Sequence, residues 1–303
     1  MLLKIYTINL NKSASSNNYK SIDAAVDDLV NGSRSDSAIA NGPGVSNHVT
    51  FLIADGIYKT RIFLEYIQGT SDTSRVHFKS ASEDSSKVVI TWPSDSLADS
   101  NFILKLSTTT YCTFSHLSFI RTGKRAFATL IDMYDTRHIM FTNCYFNSGA
   151  GSKNSYEAFA FTGGGHNYAV YNNLLIDSVY TGFNISSSSK NIIQKCTIKH
   201  FYYAGIILIE NESSIIRNNN IIGIYEGDGI YTNKCNNLQV LGNKIILKNG
   251  GTGFSDNGST INSTNMNLFA NNMISIRGGQ FAYGIFLNAT SYIDIINNSV
   301  LFF

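Results

Sequence analysis

Short runs of branched apolar residues alternate with clusters of asparagine along most of this chain. In residues 213–233, SSIIRNNNIIGIYEGDGIYTN, pairs of isoleucine stand on both sides of three asparagines. The second polar position of each cluster serves as an anchor, and successive anchors are 23 to 29 residues apart, here Leu117, Cys144, Asn173, Cys196, Asn219, Asn243, Asn272 and Asn298. A repeat of this length with apolar residues at fixed offsets from the anchor predicts a solenoid.

Three columns of residues follow from this alignment. Three positions before the anchors lie Phe114, Phe141, Val170, Ile193, Ile216, Val240, Phe269 and Ile295. Two positions after them lie Phe119, Phe146, Leu175, Ile198, Ile221, Ile245, Ile274 and Val300. A third column, each member preceded by alanine or glycine, contains Thr129, Phe159, Phe183, Ile206, Ile230, Phe254 and Ile285. The short, β-branched segments predict strands, stacked in parallel about 4.8 Å apart from coil to coil.

Asparagine suits the corner between two such strands. Its short polar side chain tolerates left-handed backbone angles, and stacked amides can hydrogen-bond along the solenoid axis. Cys144 and Cys196 occupy the same anchor column with Asn173 between them, so they should lie two coils apart, too far for a disulfide. With Cys112 and Cys235 at other offsets, the prediction is four unpaired cysteines in a narrow core.

The N-terminal part follows a different pattern. Apolar residues from Ile22 to Val30 recur at helical spacing, Ser21 is a candidate N-cap and Gly32 a candidate C-terminal cap. We therefore predict a capping helix at about residues 21–31, a flexible loop after it up to residue 47, and β-helix coils over residues 48–303 in the same domain. Because the chain ends on apolar residues, it is predicted to be a fragment that lacks a leader and continues at the C-terminus.

The sequence also resembles a known family. The helix YKSIDAAVDDL, the segment FLIADGIY and the asparagine-rich coils are similar to right-handed parallel β-helix proteins of the pectin-lyase-like superfamily. The segments HFKSASEDSSKVVITW and NFILKLSTTTYCTFSHLSFIRTG resemble secreted or cell-surface β-helix repeat proteins of the Bacteroidetes group. The resemblance implies an all-β fold, a right-handed parallel β-helix with a short N-terminal capping helix, and a place outside the bacterial cell.

The residue patterns of the pectin-degrading members of that superfamily are absent. The Gly-His-Gly of polygalacturonases has its nearest match in GGGHNYA around His166, which lacks the second glycine. The prolines, Pro43 and Pro93, do not stand in the arginine-containing contexts of pectate lyases or pectin methylesterases. A divergent lyase, hydrolase or epimerase stays open, because the superfamily combines one fold with many activities.

Composition narrows the classes of partner. The net charge is +2 and charged residues make up 15%, without the dense basic face of a nucleic-acid-binding protein. No run approaches the roughly 20 apolar residues of a membrane span. No cofactor or metal site is predicted, although calcium could bind near Asp256 or near Glu210 and Glu212, because carboxylates are its preferred ligands.

One group of polar residues is the candidate site. Asp177 and His200 share an offset from their anchors, so they should lie on adjacent coils about 5 Å apart. The candidate acid–base residues are Asp177, His200, Glu226 and Asp228. The candidate ligand-binding residues in the following connections are Tyr180, Tyr203 and Lys248. Lys199 or Lys248 would be needed to hold the carboxylate of a uronate, and the bland alternative is a solvated surface of turn residues.

Two functions remain after this reasoning. The first is a secreted or cell-surface module, monomeric, that binds polysaccharide or cell-surface glycans without catalysis. The second is a polysaccharide lyase, glycoside hydrolase or epimerase that works in a lateral groove of the β-helix. An enzyme should bring the candidate carboxylates and a cation together in a groove, whereas a binding module should not.

Overall fold

The computed structural model describes residues 1–2, 4–93, 101–123, 128–149, 158–259 and 266–303. These residues form three parallel sheets and one helix, α1 (Ile22–Asn31). From β3 onward the described strands join the three sheets in turn, so neighbouring strands in a sheet come from successive coils. The predicted all-β solenoid is confirmed.

The first sheet contains β1 (Ile5–Ile8), β2 (Asn18–Tyr19), β3 (Val49–Ile53), β6 (Val76–Ser80), β9 (Cys112–Ser115), β12 (Met140–Thr142), β15 (Val170–Asn172), β18 (Ile192–Gln194), β21 (Ile215–Arg217), β24 (Gln239–Leu241), β27 (Asn267–Ala270) and β30 (Ile293–Ile296). The second contains β4 (Gly56–Lys59), β7 (Val88–Pro93), β10 (Ser118–Thr122), β13 (Tyr145–Asn147), β16 (Leu175–Asp177), β19 (Thr197–Phe201), β22 (Asn220–Gly223), β25 (Lys244–Leu247), β28 (Met273–Ile276) and β31 (Ser299–Phe302). The third contains β5 (Ile62–Leu64), β8 (Phe102–Ser107), β11 (Ala128–Tyr134), β14 (Ala158–Gly164), β17 (Thr181–Ser186), β20 (Ala204–Ile209), β23 (Gly227–Asn233), β26 (Gly251–Asn257) and β29 (Ala282–Asn288).

The predicted vertical registration holds over most of the chain. Ile198 pairs with Ile221, and Ile221 pairs with Ile245 on the next strand of the second sheet. All three side chains are fully buried. Apolar side chains from the three sheets thus meet in one continuous core, and burial of these columns is the main contribution that stabilises the stack.

The alignment is wrong in one coil of the first and second sheets. Tyr171, not Val170, is opposite Phe141 in the first sheet, and Ile176, not Leu175, is opposite Phe146 in the second. The anchor of this coil is therefore the buried Leu174, and Asn173 lies outside on the exposed corner. The error arises because the exposed corner residue and the buried anchor are neighbours in the sequence, and an asparagine can occupy either position.

The third column also needs a correction in its first two members. Ile131 pairs with Phe161, and Phe161 pairs with Phe183. Thr129 and Phe159 lie two positions earlier, where their side chains are half-buried. The sequence placed Thr129 and Phe159 in the column because each of them follows an alanine. In these two coils, however, Ala128 and Ala158 precede positions that face outward, and the column residue comes two positions later. The remaining predicted members, from Phe183 onward, are in register.

The predicted asparagine ladder is present in the C-terminal coils. We use this name for Asn219, Asn243, Asn272 and Asn298. The side-chain amides of the first three donate to the oxygen of the next asparagine at 2.9–3.0 Å. All four also donate to a main-chain carbonyl of the preceding coil at 2.8–3.0 Å. The residue before each anchor has a positive φ, as at Asn218 (56°) and Asn271 (56°), so the left-handed corner is confirmed one position before the ladder.

The four cysteines are unpaired and buried, as predicted. Cys144 and Cys196 both belong to the anchor column, separated by the coil of Leu174. Their thiols approach the main-chain carbonyls of Phe114 and Tyr171 in the preceding coil at 3.5 and 3.6 Å. A cysteine thiol therefore occupies the place that the amide of the asparagine ladder takes in later coils.

The N-terminal helix is confirmed, with Ser21 as N-cap and Gly32 as left-handed C-cap. The segment before residue 48 is more than a cap, however, because β1 and β2 extend the first sheet. The loop after the helix is tied to it by Asp28, whose carboxylate accepts hydrogen bonds from the main-chain N–H groups of Asn41 and Gly42 at 2.6–3.0 Å. The flexibility of that loop stays a prediction.

The structure adds one finding on membrane association. In the parts of the chain that it describes, no helix has the length and apolarity needed to span a bilayer.

Candidate functional site

The candidate residues lie at the corner where the chain passes from the second sheet to the third. We define the corner site as Asp177, Tyr180, Lys199, His200 and Tyr203, from two successive coils. Between strand positions that are paired from coil to coil, the chain at this corner lengthens along the solenoid. It comprises residues 178–180 between Asp177 and Thr181, then 200–203 between Lys199 and Ala204, and then 223–227 between Ile222 and Asp228. The corner is therefore not repeated identically from coil to coil.

Asp177 makes the central contacts. Its strand partner is Lys199, whose Nζ lies 3.2 Å from Oδ2, while His200 Nδ1 lies 2.7 Å from Oδ1. The contact between Asp177 and His200 is thus as predicted, but their shared offset was wrong. A register shift between Lys199 and Phe201, with a φ of 55° at His200, turns the imidazole back toward the carboxylate.

The environment of Asp177 favours its charged form. Burial would raise the pKa of this carboxyl, but hydrogen bonds from His200, Lys199 and Ser178 outweigh burial and hold the pKa below its ordinary value. The Ser178 hydroxyl donates to Oδ1 at 3.0 Å. Asp177 is therefore an ionised acceptor that already receives hydrogen bonds from three neighbouring side chains.

Tyrosine rings continue the site. Tyr180 and Tyr203 stack with ring centroids 5.4 Å apart and planes 5° apart, and Tyr180 also stacks on Tyr202 at 5.6 Å. Tyr225 of the next coil contacts Tyr202 at 4.9 Å. Tyr203 is 53% exposed, so the stack ends in an accessible aromatic ring. The sequence indicated Tyr180 and Tyr203, whereas Tyr225 was not singled out.

The remaining predicted residues do not join Asp177. Asp228 lies on β23, pairs with Thr252 of the following coil, and accepts a hydrogen bond from Ser255 at 3.3 Å. Burial raises the pKa of Asp228. Glu226 is exposed in the preceding connection. The predicted constellation of four acid–base residues is therefore split into the Asp177–His200 pair and a separate Asp228.

Lys248 lies farther away still. It follows β25, two coils beyond His200, and lines a separate cavity of about 680 Å³ together with Arg277 and Ser275. The sequence suggested Lys248 as a cation for this site because it follows its anchor at nearly the same offset as His200. The longer connections of the later coils remove that equivalence.

A groove on the second sheet adjoins the corner site. The enzyme hypothesis predicted a lateral groove, but not this position or most of its lining. Its volume is about 770 Å³, and its lining includes Asp177, Lys199, Tyr145, His116 and Asn173. The corner residues along its edge are hydrogen-bonded in a row: Asn143 contacts His116 at 3.0 Å, and Asn173 donates to Asn143 at 2.6 Å.

The loop of residues 81–87 forms the far wall of this groove. Glu83 and Asp84 line the groove, and the main-chain carbonyl of Ser85 accepts a hydrogen bond from Ser118 of β10 at 2.6 Å. Lys79 forms an ion pair with Glu83 at the base of the loop. This connection is longer than the corners that follow it, so it stands above the sheet as a wall.

Two other sequence candidates are structural. His166 is 1% exposed, contacts the Tyr171 hydroxyl at 3.4 Å, and burial lowers its pKa to about 4. Asp256 is 1% exposed and accepts hydrogen bonds from three hydroxyls, of Thr232, Ser259 and Thr290, at 2.5–2.8 Å. Its carboxylate is thus satisfied by the protein. Within the described ranges, no three His, Cys, Asp or Glu side chains are grouped to hold a metal ion.

The stacked coils define a parallel β-helix protein, and comparison with known families agrees. The family described as "Right handed beta helix region" matches residues 129–300. The chain belongs to this family, and the predicted right-handed β-helix of the pectin-lyase-like fold is confirmed. No curated protein matches the chain in sequence.

Solved structures share the fold at low sequence identity. A pectate lyase has a TM-score of 0.53 at 13% identity, over 97% of this chain and 79% of the lyase. Pectin methylesterase PemA from Erwinia chrysanthemi has a TM-score of 0.51 at 11% identity, over 89% of this chain and 78% of the other. A pectin methylesterase from Aspergillus niger has a TM-score of 0.50 at 10% identity, over 98% and 85%. At these identities the likeness shows the fold alone.

Proposed function

We propose that this protein is a secreted or cell-surface β-helix module that binds a polysaccharide or a cell-surface glycan without turning it over. The observation that carries the proposal is one continuous surface, in which a groove of about 770 Å³ runs into a corner with stacked tyrosines. Glycans need both components, because their hydroxyls require hydrogen-bonding groups and their ring faces pack on aromatic side chains.

The groove has the shape for an extended ligand. It reaches from Ser118 on β10 to Lys199 on β19, across four coils and therefore about 14 Å along the axis. Its lining offers amide, hydroxyl and carboxylate groups from Asn143, Tyr145 and Asp177, which can serve both donors and acceptors of a sugar chain.

The charges at the corner support binding more than catalysis. Glycoside hydrolysis uses two carboxyl groups that flank the bond, one of them with a raised pKa. Asp177 has a lowered pKa and gives both oxygens to neighbouring side chains. The carboxyl group with a raised pKa, Asp228, contacts Ser255 on the coil beyond, away from Asp177.

A polysaccharide-active enzyme is the second candidate, and one contact favours it. His200 lies 2.7 Å from Asp177, an arrangement in which a carboxylate orients an imidazole that acts as a base. The fold is also that of carbohydrate-active enzymes such as the pectate lyase above. In this reading His200 would remove a proton from the bound sugar.

One experiment separates the two candidates. The whole chain is tested by affinity electrophoresis against neutral and uronate polysaccharides, and the same mixtures are assayed for new reducing ends and for unsaturated uronates. We expect retardation without products, and weaker retardation for Asp177→Asn. The matched control is Asp132→Asn, which removes an ion pair with Lys105 (3.3 Å) on the third sheet, away from the corner.

Two results would contradict the proposal. Products that disappear in His200→Ala would establish the enzyme, and a lack of retardation by every polysaccharide would exclude glycan binding. The location outside the cell belongs to the same proposal and is supported by the resemblance to secreted β-helix repeat proteins of the Bacteroidetes group. A monomer is proposed as well, and light scattering of the purified chain tests it.

A further inference from the structure

The exposed ring of Tyr203 has one covered face and one open face. Tyr180 covers the first face in a nearly parallel stack. On the other side, the next coils bring Gly227 and then Gly251 to this position of the column. Neither residue has a side chain to cover the ring.

The open face is built into the backbone. A Cβ atom on Gly227 would lie 2.3 Å from the main-chain carbonyl oxygen of Tyr203, and one on Gly251 would lie 2.1 Å from that of Gly227. Both contacts are shorter than any packing allows, so these positions require glycine. The lack of a side chain next to the open face of Tyr203 therefore follows from the close approach of the coils.

An exposed carboxylate stands next to this position of the column. Glu226 directly precedes Gly227 and is exposed, whereas the Asp228 carboxylate accepts a hydrogen bond from Ser255 on the coil beyond. Lys199, the cation of the corner site, is already paired with Asp177. Lys248 lines the separate cavity that contains Arg277.

We propose that the open face of Tyr203 is a stacking subsite for a neutral hexopyranose, and that Glu226 selects against uronates. The inference rests on the proposed glycan-binding function and adds the class of sugar. The C–H groups on one face of a pyranose pack on the electron-rich face of a ring. The exposed carboxylate of Glu226 can accept hydrogen bonds from sugar hydroxyls, whereas it repels the carboxylate of a uronate.

The test measures binding of oligosaccharides to the whole chain by titration calorimetry. The probes are neutral gluco-, manno- and galacto-oligosaccharides and an oligogalacturonate of equal length. We expect at least one neutral probe to bind more tightly than the oligogalacturonate. Tyr203→Ala should weaken that binding by about tenfold or more, and Tyr203→Phe should retain it to within about threefold, since the ring and not the hydroxyl makes the contact.

Two further variants sharpen the test. Tyr134→Ala removes another exposed tyrosine, 65% exposed on β11, and should leave binding unchanged. Glu226→Gln should improve oligogalacturonate binding several-fold relative to the neutral probes, because glutamine removes the negative charge and keeps a side-chain oxygen that accepts hydrogen bonds. Glu226 is exposed, so this variant should fold as the parent does.

The outcomes distinguish the subsite from the broader function. If oligogalacturonate binds as tightly as the neutral probes, or Tyr203→Ala binds like the parent chain, the stacking subsite is wrong while glycan binding stands. If none of the probes and none of the polysaccharides binds, the proposed function itself is wrong and the subsite is excluded with it.

Discussion

The N-terminal and C-terminal halves of the solenoid fix the alignment of their coils in different ways. In the first half, the column of the first sheet consists of aromatic rings, which we call the ring column: Phe51, Phe78, Phe114, Phe141 and Tyr171. Successive rings are 4.9–6.2 Å apart with planes within 15° of parallel. The anchor column beside it contains Leu117, Cys144, Leu174 and Cys196, which are all buried.

In the second half the same column becomes mostly aliphatic, with Ile193, Ile216 and Val240 following Tyr171. Here the anchor column becomes the asparagine ladder. Aliphatic side chains pack without a strong directional preference, whereas stacked rings and amide hydrogen bonds both require a defined offset. We infer that the ring column sets the register of the first half and the asparagine ladder that of the second.

The largest expected effect is that of Phe141→Ala in the ring column. Phe141 contacts Phe114, Phe161 and Tyr171 at 4.9, 5.2 and 6.2 Å and is fully buried. Its truncation should lower the free energy of unfolding by about 4 kcal/mol. The control is Phe63→Ala, whose ring is 44% exposed. Hydrogen exchange should accelerate in the coils around residue 141, and equal acceleration around residue 243 would contradict a register set separately in each half.

Asn243→Ala should have the next largest effect, in the other half. The side chain of Asn243 accepts from the main-chain and side-chain N–H groups of Asn219 and donates to Asn272 and to the Ile216 carbonyl, all at 2.9–3.0 Å. Removing it leaves buried groups unsatisfied, so the free energy of unfolding should fall by about 3 kcal/mol in urea denaturation.

The matched control for Asn243 is Asn173→Gly. Asn173 is exposed, has a φ of 52° and donates to Asn143. Glycine relieves the left-handed backbone while the exposed hydrogen bond is lost, so the net change should be within about 0.5 kcal/mol. If Asn173→Gly destabilised the chain as much as Asn243→Ala, the distinction between exposed and buried asparagines would be wrong.

The same distinction explains what the sequence could and could not predict of the fold. The three sheets, the capping helix and the apolar columns follow from periodicity, since every coil repeats the same apolar offsets. The alignment slipped at Asn173 because sequence does not tell an exposed left-handed asparagine from the buried one that follows it in Asn218–Asn219. At this coil the anchor is the buried Leu174, and the exposed Asn173 beside it drew the sequence alignment one position too early.

For the candidate site, the sequence could predict which residues lie on adjacent coils, but not which of them come together around Asp177. The contact of Asp177 with His200 followed from coil spacing, although their true register depends on a local shift at Lys199. Lys248 and Asp228 were misplaced relative to Asp177 because connections that lengthen from coil to coil destroy equal offsets. The wall formed by residues 81–87 could not be predicted, since composition does not say on which side of the sheet a loop stands.

Cys196→Asn tests the boundary between the two halves and should have a small effect. Cys196 already accepts the N–H of Leu174 and donates toward the Tyr171 carbonyl, the two contacts that a ladder asparagine makes. An asparagine here can also donate to Asn219, so the free energy of unfolding should stay within about 1 kcal/mol of the parent. Cys196→Ala, which cannot make these contacts, should be the less stable of the two. A strongly destabilised Cys196→Asn would show that the ladder cannot extend into the ring-column half.

The smallest expected effects concern two carboxylates, Asp177 and Asp228, one from each half. Their contributions to the free energy of unfolding should change with pH in opposite directions. Asp177 has a lowered pKa in the folded state, so its stabilisation is present above the pKa of the unfolded chain and is lost as the pH falls through the folded pKa. Asp177→Asn should therefore cost less than about 1 kcal/mol at neutral pH and nothing in acid.

Asp228 has a raised pKa, so its stabilisation is present below the unfolded pKa and is lost as the pH rises. Relative to the parent, Asp228→Asn should become more stable as the pH rises, and urea denaturation at several pH values should show the two differences running in opposite directions. Parallel pH dependences would mean that Asp177 is not held by Lys199 and His200 in solution, which would also remove the electrostatic reason for assigning the corner to binding.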